Sequence, residues 1–306
     1  MMKTEKYKIA LGFTAICLIW GSTWMVIRIG LGSLTPLISV GIRFVLASGF
    51  IYTLMRFNKI KLQTDSLSIK LYFILSLCAY VIPYAIVYWA ELYISSGLTS
   101  IIFAVMPLFV IIFSWIAFSK ESITTNQILG TILGFGGIVI IFSENLSLDL
   151  SKQMIGIIAV LISAAMQGVI AVTIKKYGHH LNPLSMNFLP MFSAGVILLA
   201  LAFSFENSSA WVFDSAAVLS ITYLAFIGTV AAFTTYYWLL KRVNVVILSL
   251  SSFISPIIAV ILGWLFINEN FSFQTLVGSA FVLIGILFAN FRGIKNYYNS
   301  KSARVK

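Results

Sequence analysis

Long apolar runs, separated by short polar turns, recur along the whole chain of 306 residues. A helix needs about 20 apolar residues to cross the hydrocarbon core of a bilayer. Ten runs answer to that description: 9–30, 36–55, 69–89, 95–118, 127–143, 154–174, 184–205, 216–240, 245–267 and 273–291. The fifth is short and predicts a helix with little tilt. The pattern is also written twice. Between Ser96 and Phe142 two apolar runs flank a polar turn at Lys120-Glu121, and the second half repeats the plan. Pro107 returns as Pro256, Trp115 as Trp264, Glu121 as Glu269, Gly130 as Gly278 and Gly137 as Gly285. Earlier landmarks return as well: Gly21 as Gly168, Arg28 as Lys175, Pro36 as Pro183, and Tyr88-Trp89 as Tyr237-Trp238. A period of half the chain means two related halves rather than a solenoid. The halves are residues 1–149 and 150–306, with five spans each. Five is odd, so the second half enters the membrane inverted. The predicted fold is an all-α integral membrane protein: ten transmembrane helices as two inverted five-helix repeats, the second ending in a basic tail.

Composition agrees. The chain is 60% hydrophobic and 9% charged, where a soluble domain carries about 25% charged residues. A net charge of +11 would suggest nucleic acid in a soluble protein. Here the basic residues sit in the short turns, so the expected partners are the bilayer and a small-molecule substrate, with no nucleic acid. With the N-terminus in the cytoplasm, all of the 20 Lys and Arg except Arg28, Arg43 and Lys152 fall on the inside, as the positive-inside rule requires. Both termini are then cytoplasmic. The first run starts like a signal peptide, but it continues too far and no small-x-small site follows, so it is expected to remain as a span. Cys17 and Cys78 lie inside apolar runs and form no metal or disulfide pattern. His179 and His180 are merely adjacent. No nucleophile–base pair or phosphate loop is present, so neither enzyme activity nor a metal or cofactor is expected.

An inverted repeat points to a transporter with its site near the midplane, where the halves meet. Tyr80, Tyr84 and Tyr88 share one helix face. Thr229, Phe233 and Tyr237 share the matching face of the eighth span, with Trp238 beside them. The two faces are candidates for the lining of a substrate cavity, or for interface anchors and packing. Trp20 and Trp24 share a face of the first span, and Gln167 is a neutral polar residue inside the sixth; all three are cavity candidates. Arg43 is a charge well inside a span, roughly 10 Å from its end by helical rise. Three readings are open: it snorkels to headgroups, it pairs with an acid such as Glu91 or Glu144, or it holds an anionic group of the substrate. Glu91, Glu144, Glu206 and Glu269 all fall at span ends, so no buried proton relay is visible. Pro83, Pro107 and Pro256 are candidate hinges or gates, the last two as breaks at matching positions of the fourth and ninth spans. Gly130-x-x-x-Gly134 is a close-packing pattern, read as packing inside the first half.

The string Ile19-Trp20-Gly21-Ser22-Thr23-Trp24, followed by Arg28, Pro36 and Arg43-Phe44, resembles the start of an EamA-type permease of the drug/metabolite transporter superfamily. The segments Pro107…Glu121…Gly130 and Pro256…Glu269…Gly278 resemble the end of each EamA repeat. The likeness covers about residues 9–292. It implies a secondary transporter in a bacterial or archaeal cytoplasmic membrane; a monomer is expected on separate grounds, because the chain has enough helices to enclose a path by itself. Such a protein moves a small amphipathic metabolite, an amino acid or related compound, by alternating access through a central aromatic-lined cavity, with efflux one direction it serves. The second half departs from the pattern at Gln167-Gly168 and at Pro190, the counterparts of Trp20-Gly21 and Arg43. The alternatives are a sugar-phosphate or nucleotide-sugar carrier, which would want several basic residues for phosphate, and a channel-like facilitator.

Overall fold

The computed structural model describes residues 3–118, 124–143, 152–240, 242–243, 248 and 250–303. Lys120, Glu121, Glu144 and Ser249 lie outside the described residues, as does the side chain of Tyr237. Among the described residues the fold is all-helical. The helices are α1 (Lys3–Gly30), α2 (Pro36–Phe57), α3 (Ser66–Leu75), α4 (Ile82–Ala90), α5 (Ser96–Phe103), α6 (Met106–Ala117) and α7 (Thr125–Ser143), then α8 (Lys152–Tyr177), α9 (Pro183–Phe205), α10 (Ser215–Ala225), α11 (Ala232–Leu240), α12 (Ser251–Ile267) and α13 (Phe273–Ala303). Eight helical stretches are long and apolar enough to cross a bilayer; 125–141 and 251–267 are apolar but shorter. Large apolar side chains face outward, Trp115 and Trp264 among them, as suits a protein whose solvent is lipid.

Local chemistry sets the helix starts. Pro36 and Pro183 open α2 and α9 at the first turn, where a missing N–H costs nothing. Asp65, Ser95, Asn182 and Asp214 each accept a bond from a backbone N–H of the helix they precede, which satisfies an otherwise orphaned donor.

Two of the long spans are not plain α-helix. α3 passes into α4 through a π-helical turn, Ser76–Val81, and α10 passes into α11 through another, Phe226–Ala231. In the first the cause is in the sequence. Pro83 has no N–H to give the carbonyl four residues back, and that carbonyl, Ala79 O, accepts instead from Gln167 Nε2 at 2.8 Å. In the second no proline is present; Thr229 Oγ1 donates to Leu224 O at 2.8 Å. The prolines of the fourth and ninth spans also differ. Pro107 is at the start of α6, just after the break between α5 and α6. Pro256 does not break its span: it lies inside α12, and the turn falls earlier, at Leu250.

The tightest seam joins α7 to α13, antiparallel. A Cβ built on Gly130 would lie 2.5 Å from Ala289 N and Gly285 O, and one on Gly137 2.5 Å from Gly278 O. The reciprocal positions are equally closed: Gly278 toward Gly137 O at 2.6 Å and Gly285 toward Gly134 N at 2.5 Å. Gly130, Gly137, Gly278 and Gly285 therefore pack one half against the other, whereas a Cβ on Gly134 would strike Leu108 of α6, inside the first half as the Gly130-x-x-x-Gly134 spacing suggested. That spacing describes a helix face and is silent about which neighbour meets it.

The turns after α1, α4, α9 and α12 gather at one end of the bundle, here the Glu91 end, where two glutamates of the second half cap helices of the first. Glu206 accepts from Leu37 N (2.8 Å), Ile38 N (3.0 Å) and Thr35 Oγ1 (2.6 Å). Glu269 accepts from Ser96 N (2.6 Å) and Gly97 N (3.0 Å). Asn268 makes the second clasp feasible by taking φ 52° and ψ 36°, a left-handed turn that asparagine tolerates. Gly263 leaves room where a Cβ would strike the Glu269 carboxylate. An anion at a helix N-terminus meets both the free N–H groups and the helix dipole. Glu269→Gln is expected to lower stability by about 1–3 kcal/mol, the range for losing a charge-assisted bond and leaving an N–H unpaired. A thermal melt in detergent measures it, and an unchanged midpoint would show that the clasp contributes nothing.

Candidate functional site

Arg43 sits two turns into α2 and is 5% exposed. It does not snorkel. Its Nη1 donates to Tyr88 Oη at 3.0 Å, and Nη2 to Thr229 Oγ1 at 3.4 Å. Tyr88 belongs to α4 of the first half; Thr229 belongs to the π-helical turn of the second. Arg43 therefore links three spans across the boundary between the halves. Its guanidinium also lies 5.5 Å from the centroid of the Tyr84 ring and 5.8 Å from that of Phe44, within the range of a cation–π attraction. Neither Glu91 oxygen bonds to it, and its Nε has no partner. A buried charge normally has an ion partner. This one is held by neutral oxygens and ring faces and keeps a free donor.

The tyrosine stripe divides by role. Tyr80 donates to Asn187 Oδ1 at 2.7 Å. Tyr80 and Tyr84 stack 6.2 Å apart and both meet the edge or face of Phe44, at 5.4 and 4.9 Å. Tyr88 is fully buried, so it is no membrane-interface anchor. Tyr84 is half-buried, the least enclosed group beside Arg43.

The remaining candidates make their contacts with other groups, Trp20 and Trp238 against one shared apolar cluster. Trp20 packs on Phe233 and Tyr236, with ring centroids 6.2 and 5.5 Å away. Trp24 packs on Phe103 at 5.4 Å. Trp238 lies under the Arg242 guanidinium at 4.6 Å, in an apolar cluster with Ile16 and Cys17, remote in sequence from Thr229 by more than two turns of helix. Gln167 uses its amide N–H on Ala79 O, and Ser163 donates to Pro83 O at 3.2 Å. Gln167 braces the π-helical turn that carries Tyr80, and Ser163 braces the first turn of α4 just after it. Ser193 adds a bond to Ser76 Oγ at 2.9 Å. These braces were not singled out from the sequence except for Gln167; isolated serines in apolar runs are too common to mark one. A groove of about 300 Å³ between Val45, Ser48, Gly49, Tyr52, Phe188 and Phe192 contains none of the candidates.

A model of the EamA-like transporter family matches residues 8–143 and again 154–291. The chain belongs to the EamA-like transporter family. Relatives matched over most of their length include two named as transporters. The chain is 27% identical over 287 residues to "Uncharacterized transporter YoaV" of Bacillus subtilis strain 168, covering 93% of this chain and 97% of that protein. It is 29% identical to "Uncharacterized inner membrane transporter YedA" of Escherichia coli K12, over 81% of this chain and 79% of that one. It is also 29% identical to "Protein PagO" of Salmonella typhimurium, over 84% of each. A solved structure shares the fold with a TM-score of 0.65 over 92% of this chain and 98% of its own, at 16% identity. With its apolar helices, this EamA-like chain is a multi-pass membrane transporter.

Proposed function

We propose that this EamA-like transporter is a secondary carrier for a small amphipathic solute bearing an anionic group. In this reading Arg43 receives that group between the two halves, and Tyr84 and Tyr88 face the rest of the solute. The path is lined further by Trp20, Trp24, Tyr80, Phe233 and Tyr237. The ten apolar helices all span the bilayer, in two inverted halves that rock about the Arg43 level, with both termini cytoplasmic. The observation that carries the reading is a buried guanidinium that bridges the halves and, among the described residues, lacks an ion partner and keeps a free N–H. Both stretches matched to the family meet there. Among the described residues Arg43 is the sole buried cation, which favours a single carboxylate over a phosphate; phosphate carriers want several donors. Amino acids and related carboxylates are the solute class.

Counterflow in proteoliposomes tests this. Vesicles are loaded with one unlabelled compound at a time, and uptake of the labelled compound is followed. Saturable counterflow is expected for carboxylate-bearing solutes and not for matched amines. Unsaturable flux would favour a channel, and counterflow confined to cations would overturn the role given to Arg43.

A further inference from the structure

Glu91 lies in the turn just past α4, one turn beyond Tyr88. It is 0% exposed, and neither carboxylate oxygen has a hydrogen-bond partner. An ionised carboxylate left bare in such a place costs several kcal/mol. The nearby charges cannot relieve it in this arrangement. Glu269, on the turn after α12, uses both oxygens on Ser96 N and Gly97 N. Arg43 is turned toward Tyr88 and Thr229. Arg28, on α1, acts on Glu91 only through its field. Burial pushes the Glu91 carboxyl well above the ordinary carboxylate range, and the Glu269 charge pushes the same way; Arg28 and Arg43 pull it back. Tyr88 is the remaining titratable neighbour, on the same helix.

We propose that Glu91 is a proton-binding site, occupied in this closed arrangement and emptied when the Glu91 end opens to water. The ligand is the proton itself, which a carboxyl binds without any further donor. The Glu269 clasp closes the same end, because it holds the start of α5 against the turn after α12. Ionisation of Glu91 therefore works against the clasp, and protonation works with it. In water the carboxyl returns to about pH 4.3. Between that value and its raised value in the closed form, each pH unit shifts the balance toward the open form by roughly tenfold, the slope of a one-proton linkage. The closed form is thus favoured at low pH and lost as pH rises. If the chain is a carrier as proposed above, this couples its cycle to protons; the proton site itself stands without that reading.

Two measurements on the purified full chain test it, and neither needs a transported solute. Infrared spectra across a pH titration are expected to show a protonated-carboxyl band that persists at neutral pH in the native protein and is missing from Glu91→Gln. No such band in the native protein, or a band that survives the substitution, overturns the proposal. The second is labelling of Ser96→Cys by a membrane-impermeant maleimide, with Cys17 and Cys78 replaced by alanine. Ser96 is fully buried and its hydroxyl is unpartnered, so the new thiol reports opening of the clasp. Labelling is expected to rise roughly tenfold per pH unit with Glu91 present and to be low and flat in Glu91→Gln, which mimics the protonated form. A pH response equal in both, after correction for thiol ionisation with a free thiol, overturns it. Should Glu91→Gln not fold, the native band and the native labelling slope decide by themselves. Failure of counterflow with a persistent Glu91 band would remove the carrier reading and leave the proton site.

Discussion

Gly137→Leu is expected to destabilise the protein by about 3 kcal/mol or more and to cut the yield of monodisperse material severely. At Gly137 even a methyl group would meet backbone: Gly278 O at 2.5 Å and Val282 N at 2.7 Å. Backbone cannot rotate away as a side-chain tip can, so α7 and α13 must separate. Adding a single methylene to a packed core costs about 1–3 kcal/mol, and leucine adds far more while losing close contacts along the whole seam. In lipid no hydrophobic effect holds helices together, so association rests on such close packing. The same helix supplies the control. Gly136 has nothing within 4 Å of a Cβ, so Gly136→Ala is expected to be neutral, or to stabilise by about 0.5–1 kcal/mol through the better helix propensity of alanine. Size-exclusion profiles and thermal melts in detergent separate the two. Equal behaviour of the neighbouring substitutions would remove the seam as the cause.

The seam shows how far the chain could be read from its letters. The recurrence of Gly130 and Gly137 as Gly278 and Gly285 was plain, and so was the spacing of a close-packing face. That the recurring pairs face each other was not, because periodicity reports the face of one helix and not its neighbour. Pro83 marks one π-helical turn, through the carbonyl it leaves free at Ala79. The turn at Phe226–Ala231 has no such mark; Thr229 makes its internal bond, and threonine inside a span looks ordinary. Pro256 read as a break but lies within α12. It is six residues into that helix and forfeits one backbone bond there, yet the helix continues through it, and the turn falls earlier, at Leu250.

The site was legible to a similar depth. A charge inside an apolar run draws attention wherever it occurs, so Arg43 was found. Its partners depend on the rotation of α2 and on a residue of the second half, 186 positions away in the chain, which no local pattern encodes. Glu91 was passed over as a proton carrier for the opposite reason. At the end of a span a carboxylate is expected in water. Glu91 is nevertheless fully buried, and burial at a span end is a property of packing that no local pattern encodes.

Arg43→Met is expected to abolish counterflow while leaving the fold intact or firmer. Most residues that fail on substitution fail because the protein unfolds; here the two effects have opposite signs. A buried cation without an ion partner is a burden on the folded state, and exchanging buried ionic groups for apolar ones of similar volume is often neutral or stabilising by about 1–4 kcal/mol. Methionine fills the space left by the stem of arginine and adapts to its surroundings, so it avoids the cavity that alanine would leave. Tyr88 loses a donor, and its hydroxyl can still donate to water or to a carbonyl. The thermal midpoint is therefore expected to hold or rise. Transport is expected to fall about 100-fold or more. Removing one partner of a desolvated, hydrogen-bonded charge pair costs about 2–5 kcal/mol, and each 1.4 kcal/mol is roughly tenfold in affinity. Arg43→Lys keeps the charge but loses the planar fork that can serve Tyr88, Thr229 and a carboxylate together. Intermediate transport, about tenfold below the native protein, is expected of it, mainly as weaker apparent affinity. The pair of substitutions separates charge from geometry, and the melt separates both from folding. Counterflow that survives Arg43→Met with the native affinity would move the solute's anionic group elsewhere. A collapse of the melting midpoint in Arg43→Met and Arg43→Lys alike would make Arg43 a structural strut between the halves.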